Sequence, residues 1–239
     1  MRYKLPRTFS FGGVFAALLV GLAACDDAPS DATGSARAAG AANAVMADAP
    51  EARLPVSDAL QAKGFALGDM VMGSPDAPVE VIEYASLTCG HCAVFHAEAL
   101  PKLKEKYIDT GQVRYVFRNF LLNRVDLQAS TVVRCQGSDD FFTMIDLVFA
   151  RQGQWLSDPD PNQILDNLAG VVRRAGVSRA AFDECLGERE LQEHIVAMTK
   201  AGSEVYEITG TPTIIVNGVK QDIGASRFEA LDEIIAGLL

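Results

Sequence analysis

Residues 79–92 read Val79-Glu80-Val81-Ile82-Glu83-Tyr84-Ala85-Ser86-Leu87-Thr88-Cys89-Gly90-His91-Cys92, and they contain the strongest structural signal in the chain. The first six are mostly β-branched or aromatic and follow the turn-forming run Ser74-Pro75-Asp76-Ala77-Pro78, so they predict a β-strand. The next segment has helical spacing at positions 96, 100, 103 and 107, with Pro101 expected to kink the helix. A second strand is predicted from Val113 to Phe120. Strand, helix and strand in this order predict a parallel βαβ unit with a right-handed crossover.

Two cysteines, Cys89 and Cys92, stand where the first strand meets the helix. A Cys-x-x-Cys at such a junction is typical of a thioredoxin-like redox motif. The thiolate is the attacking form of cysteine, and the free amides and dipole of a helix amino terminus stabilise it. We therefore expect Cys89 to be exposed and to attack, and Cys92 to lie one turn deeper and to resolve the mixed disulfide. His91, between them, is expected to favour the Cys89 thiolate.

The reactive group predicted here is the Cys89–Cys92 disulfide itself, with no separate cofactor and no metal. A zinc site is an alternative for the pair, but no second Cys-x-x-Cys or His-x₃₋₅-His pair completes four ligands. A thiol-based copper-delivery or metal-binding module remains the rival function from another class. Of the other histidines, His96 is expected to pack half-buried, the alternative being that it tunes Cys92, and His194 is expected to lie at the surface.

The rest of the chain predicts helices followed by a hairpin. Residues 123–205 contain several helical patterns and no strand signal. Thr213 to Val216, the turn Asn217-Gly218 and the pair Val219-Lys220 then form a hairpin with a strong two-residue turn signal. Residues 226–238 predict an amphipathic closing helix. The expected fold is α/β, with a sheet core made of 59–122 and 206–239 and an all-helical insertion at 123–205.

Over about residues 65–239 the sequence resembles the bacterial DsbA-type thiol–disulfide oxidoreductases, which are thioredoxin folds with a helical insertion. The resemblance rests on the lead-in 74–78, the stretch 83–92, and the runs Tyr107-Ile108-Asp109-Thr110-Gly111 and Gly210-Thr211-Pro212-Thr213. It implies that Pro212 is cis and faces the cysteine pair, and that Thr211 pairs with the substrate backbone. It also implies that Glu83 is a buried acid handling the proton of the resolving thiol, although a strand glutamate can instead face solvent.

One feature departs from the better-known bacterial oxidases. Gly90-His91, the dipeptide between the cysteines, resembles that of eukaryotic disulfide isomerases, whereas those oxidases carry Pro-His. The expected activity is disulfide formation in reduced or misoxidised exported proteins, with a quinone-linked membrane oxidase as reoxidant. A reductase or isomerase of the same fold remains the alternative.

The amino terminus predicts export. A basic start and an apolar run through Ala24 form a signal peptide, residues 1–24. The run closes on Leu22-Ala23-Ala24-Cys25, which resembles a lipoprotein cleavage site with Cys25 as the lipidated residue; a plain secreted protein is the alternative. Residues 25–58 are expected to be a flexible tether. We therefore expect a lipid-anchored protein on the periplasmic side of a bacterial membrane, with the inner membrane favoured.

Charge excludes one large class of partner. The chain holds 21 basic and 31 acidic side chains, a net charge of −10. Three of the basic residues and no acid lie in the first 24 residues, so the remainder carries a net charge of −13. Nucleic-acid binding depends on neutralising phosphates with Lys and Arg, and this composition excludes it.

The remaining two cysteines, Cys135 and Cys185, complete the set of five. Both fall in the predicted helical block, and an oxidising compartment leaves few thiols unpaired. They are therefore expected to form a structural disulfide, the alternative being two separate buried thiols.

Overall fold

The computed structural model describes residues 54, 56–222 and 226–239. The predicted signal peptide, Cys25 and most of the predicted tether lie outside the described residues. Within the described part, no helix is both long enough and apolar enough to cross a membrane.

Five strands form one mixed sheet in the order β1-β3-β2-β4-β5. β2 and β3 are parallel and the other neighbours are antiparallel, which confirms the predicted βαβ unit and the hairpin. β1 was not predicted; it is a three-residue edge strand that pairs Met70 with Phe117. The strand bounds are as follows: β1 Met70–Met72, β2 Val79–Ala85, β3 Val113–Asn119, β4 Thr213–Val216 and β5 Val219–Lys220.

The helices surround this sheet, and residues 124–206 hold helices and no strand, as predicted. The first short helix precedes β1, two follow Cys89, six form the helical block and one closes the chain. Their bounds are as follows: α1 Asp58–Ala62, α2 Gly90–Val94, α3 Leu100–Leu103, α4 Arg124–Cys135, α5 Phe141–Ala150, α6 Gln152–Trp155, α7 Pro161–Val172, α8 Arg179–Leu186, α9 Arg189–Tyr206 and α10 Phe228–Ala236.

The helical run 90–108 accommodates Pro101 by forming wider, π-helical turns on either side of it. Two π turns, Phe95–Ala99 and Lys104–Ile108, flank α3, and Pro101 stands at the beginning of α3. Proline has no N–H and its ring clashes with the carbonyl of the preceding turn. The wider turn before it, in which Leu100 N donates to Phe95 O, relieves that conflict and lets the helical run continue.

The surface position expected for His194 is wrong. His194 is only 6% exposed, because it lies on the apolar stripe of α9 with Leu191, Ile195 and Met198. These four positions follow the i, i+3, i+4, i+7 spacing of a core-facing helix. Burial and the nearby charge of Arg134 both lower the pKa of His194. The polar neighbours of His194 in sequence face away from the core and gave the misleading signal.

Candidate redox site

Cys89 and Cys92 lie at the carboxyl end of β2, where α2 begins. Cys89 is the N-cap of α2 with an extended backbone, and Cys92 lies within the helix. Both are free thiols in this structure. Cys92 is fully buried, as expected, whereas Cys89 is 9% exposed and so less accessible than predicted. Thr211 covers it, and the Thr211 carbonyl oxygen lies 3.2 Å from Cys89 Sγ.

The two thiols have opposite acidities. A hydrogen bond from Cys92 is the main cause that lowers the pKa of Cys89 to about 5; burial opposes the shift, and the backbone N–H groups of His91 and Cys92 support it. His91 contributes through its N–H, at the start of the helix, while its side chain is exposed. Burial, Cys89 and the charge of Glu83 all raise the pKa of Cys92. At neutral pH the reduced pair therefore holds one thiolate, on Cys89, and one thiol, on Cys92.

This acidity predicts how alkylation depends on pH. The thiolate is the reactive form, so carboxamidomethylation of Cys89 in the reduced protein should rise with pH to a plateau, with its midpoint near pH 5. Cys92 should stay unlabelled through neutral pH. The Cys92→Ala variant provides the matched control, because it removes the main hydrogen bond and should move the midpoint upward. A wild-type midpoint near the ordinary value of about 8.5 would contradict this description of the site.

Thr211, the residue before Pro212, lies beside Cys89. The Thr211–Pro212 peptide bond is cis in the structure, as the resemblance implies. The two residues line a cavity of about 240 Å³ at the start of β4, together with Gly210, Thr213 and Gln221. Thr211 therefore lies between this cavity and Cys89, and its expected contact with substrate stays a prediction.

Glu83 is fully buried on β2 and does not face solvent. Its Oε2 accepts hydrogen bonds from His96 Nε2 at 3.0 Å and from the Tyr115 hydroxyl. His96 is therefore more than a half-buried packing residue, although its ring also packs against Phe149 with centroids 4.4 Å apart. Burial lowers the pKa of His96, but the charges of Glu83 and Asp146 outweigh it and raise the pKa to about 9. A buried ion pair thus lies behind Cys92.

Two residues of the helical block hold the loop before Cys89, and sequence reasoning missed both. Gln152 Nε2 donates to the carbonyl oxygens of Leu87 and Cys89, at 2.9 Å each. Asp126 Oδ1 accepts from Leu87 N at 2.9 Å, and burial raises the pKa of Asp126 to about 6. No sequence signal identifies Gln152, because its role depends on how the helices pack against the sheet.

No metal cluster accompanies these groups. Across the described ranges 56–222 and 226–239, the structure brings no three His, Cys, Asp or Glu side chains together as a metal site.

Cys135 and Cys185 are bonded to each other, with Cα atoms 5.9 Å apart and a sequence separation of 50. The bond joins the carboxyl end of α4 to α8. Cys185 is buried, and Gln136 Nε2 lies 3.3 Å from its sulfur. This pair is therefore distinct from the free pair at the start of α2.

Comparison with known proteins places the chain in a family. Residues 66–236 match the family described as thioredoxin. A Rickettsia bellii protein, whose name provisionally assigns it as a protein-disulfide oxidoreductase, is 35% identical over 172 residues, covering 69% of this chain and 65% of the relative. The chain spans between 54% and 65% of the length of the Rickettsia relatives that it matches.

One further relative is similar in sequence, and one solved structure is similar in fold. The Bacillus subtilis disulfide bond formation protein D is 28% identical over 185 residues, covering 74% of this chain and 79% of that protein. The crystal structure of Wolbachia pipientis alpha-DsbA1 superimposes with a TM-score of 0.64 at 30% identity, covering 80% of this chain and 96% of that one. The chain therefore belongs to the thioredoxin family, with the helical insertion of its DsbA-type members.

Proposed function

We propose that this protein is a thiol–disulfide oxidoreductase that forms disulfides in exported proteins. The observation that carries the proposal is the Cys-x-x-Cys pair at the start of α2, with Cys92 buried and Cys89 beside Thr211 of the cis Thr211–Pro212 bond. The opposite acidities of the two thiols support it. A thiol of low pKa is a good leaving group, and stabilising the reduced form makes the corresponding disulfide a stronger oxidant. The names of the Rickettsia and Bacillus relatives support the same chemistry.

The proposed reaction begins with the Cys89–Cys92 disulfide. A substrate thiolate attacks Cys89 Sγ, forming a mixed disulfide, and Cys92 leaves with the electron pair and takes up a proton. A second substrate thiolate then attacks the substrate sulfur of the mixed disulfide, and Cys89 leaves as a stable thiolate. The substrate gains one disulfide and loses two electrons, which the cysteine pair holds until it is reoxidised.

Thr211 and Pro212 are proposed to position the substrate. Both residues line the cavity at the start of β4, and the Thr211 carbonyl oxygen lies 3.2 Å from Cys89 Sγ, so an extended peptide bound along Thr211 would bring its cysteine toward that sulfur. Gly90 and His91 form the exposed first turn of α2, and they are proposed to contact the substrate next to its cysteine. Both are exposed next to Cys89.

Direct oxidation of a reduced protein tests the function. Oxidised enzyme mixed with an equimolar reduced, unfolded protein containing two cysteines should transfer its disulfide, so that the substrate loses two thiols while Cys89 and Cys92 gain two. Alkylation and mass measurement of both chains follow the transfer. Failure to oxidise the substrate, together with rapid reduction of disulfides by the dithiol form, would favour the reductase or isomerase suggested by Gly90-His91.

The proposed location is the periplasmic side of a bacterial membrane, with a lipid anchor at Cys25. The sequence of the first 25 residues supports it, and two acyl chains hold a protein stably at a bilayer. The expected result for Cys25→Ser is a precursor that is not cleaved at this site and carries no acyl label. Normal processing of that variant to a soluble form would instead indicate an ordinary secretory signal. A quinone-linked membrane oxidase is the proposed reoxidant, since such an anchor would hold the pair near it.

A further inference from the structure

A line of ionisable groups runs from the neighbourhood of Cys92 to the surface. Glu83 is fully buried, and its Oε1 has no hydrogen-bond partner among the residues that the structure describes. Its other oxygen contacts His96 Nε2 at 3.0 Å. On the far side of the ring, His96 Nδ1 lies 3.6 Å from Asp146 Oδ1, and the Asp146 side chain is 67% exposed.

The outer end of this line opens on a groove. A depression of about 660 Å³ lies between the helical run after Cys92 and α5, and its walls include His96, Asp146, Phe142, Leu100 and Val94. The ring of His96 is itself 98% buried at the base of the groove, since its side chain is only 2% exposed. Asp146 is therefore exposed to the solvent in the groove, whereas only an edge of the His96 ring is.

We propose that Glu83, His96 and Asp146 form a proton path that connects the buried sulfur of Cys92 with the groove, with His96 as the positioning residue that stores the proton. The inference deepens the proposed function and rests on it. The path is separate from the substrate cavity, which lies at Thr211 and Pro212. Substrate bound over Cys89 would therefore leave the proton route open.

The chemistry of disulfide cleavage needs such a route. When a thiolate attacks Cys89, the S–S bond breaks and Cys92 leaves as a thiolate in a buried place where the thiol is strongly favoured. The Glu83–His96 pair holds one proton and can pass it through the carboxyl group to Cys92. Glu83 is then again a carboxylate and His96 a neutral imidazole, which regains one proton from the groove. Reoxidation of the pair runs the same transfer outward.

The groups around His96 favour this storage. Burial opposes charging the ring, but the two carboxylates on either side outweigh it, so His96 holds its proton at neutral pH. The ionisable groups that face the ring or its partner from the packed elements are Glu83 of β2, Tyr115 of β3, Asp146 of α5 and Cys92 of α2, with Glu98 and Lys104 along the groove.

The test is the pH profile of one half-reaction. The full-length oxidised protein is mixed with excess glutathione, and cleavage of Cys89–Cys92 is followed by acid quench and alkylation, with rates expressed per glutathione thiolate. Wild-type rates should be constant near neutral pH and fall with a midpoint near pH 9, where His96 loses its proton. His96→Gln keeps a hydrogen-bond donor without an ionisable proton, so it should be slower at pH 7 by roughly 100-fold and lack the inflection.

Two further variants separate the proton path from a general effect on folding. Asp146→Asn alters an exposed side chain, so it should fold, and its midpoint should move to lower pH because one of the charges that raise the pKa of His96 is lost. His194→Gln changes a buried histidine outside the path and should keep the wild-type midpoint. An unchanged profile in His96→Gln, or an unmoved midpoint in Asp146→Asn, would overturn the proton path alone. Failure of the wild-type protein to react with glutathione would overturn the proposed function.

Discussion

Cys89→Ser is expected to abolish thiol–disulfide exchange, whereas Cys92→Ser should accumulate covalent complexes with substrates. The difference follows from position and acidity: Cys89 is the partly accessible thiolate, and Cys92 is a fully buried thiol. Without Cys89 no sulfur is available to a substrate. Without Cys92 the mixed disulfide at Cys89 lacks the internal thiol that resolves it.

The measurement is non-reducing electrophoresis of each variant after expression with exported proteins, with in vitro exchange rates beside it. Cys92→Ser should show mixed-disulfide bands that disappear on reduction, and Cys89→Ser should show none. The double variant Cys89→Ser/Cys92→Ser is the matched control for nonspecific complexes. Greater alkylation of Cys92 than of Cys89 in the reduced wild-type protein would show that the roles are assigned the wrong way round.

Removal of the Cys135–Cys185 bond should have the largest effect on stability. Closing a loop of this length restricts the unfolded chain, and in the entropic treatment the bond stabilises the fold by about 4 kcal/mol. The paired variant Cys135→Ala/Cys185→Ala should therefore lower the urea midpoint strongly, while exchange through Cys89 persists in the fraction that remains folded. Urea unfolding of the oxidised protein and the variant measures the difference.

Graded reduction provides a second measurement on the same bond. Cys185 is buried, and neither sulfur lies at a helix amino terminus of the kind that stabilises Cys89, so mild dithiol should open Cys89–Cys92 first. Alkylation followed by peptide mass mapping gives the order. Labelling of Cys135 and Cys185 before Cys89, or without any reductant, would contradict a structural role for the bond.

The features that sequence predicts correctly are those set by local chemistry. The β-branched run before Cys89, the Cys-x-x-Cys at the strand–helix junction and the Asn217-Gly218 turn each carry their signal within a few residues. In the structure, Ser178 and Asp160 cap the helices that follow them, each accepting from a backbone N–H of the first turn. For these elements the local preferences and the fold agree.

The features that sequence misses depend on distant contacts. β1 is too short to show a pattern, and it exists because it pairs with β3. Gln152 is 60 residues from Cys92 in sequence. It reaches the carbonyl oxygen of Cys89 only because α6 packs beside the loop that precedes Cys89. The sequence predicts that His96 packs half-buried but does not predict its ion pair with Glu83. The two residues are 13 positions apart, and only the packing of the helical run against β2 brings them together. The residues next to them in sequence therefore carry no signal of these roles.

The reduction potential of Cys89–Cys92, measured against glutathione buffers across a range of pH, tests the account most directly. An acidic Cys89 thiolate predicts an oxidising couple, between about −180 and −120 mV at pH 7. Because reduction above about pH 5 yields one thiolate and one thiol, it takes up two electrons and one proton, so the potential should fall by about 30 mV per pH unit. A potential near −270 mV, or a slope of about 59 mV per unit at neutral pH, would contradict the assignment of this pair as a disulfide donor with a stabilised Cys89 thiolate.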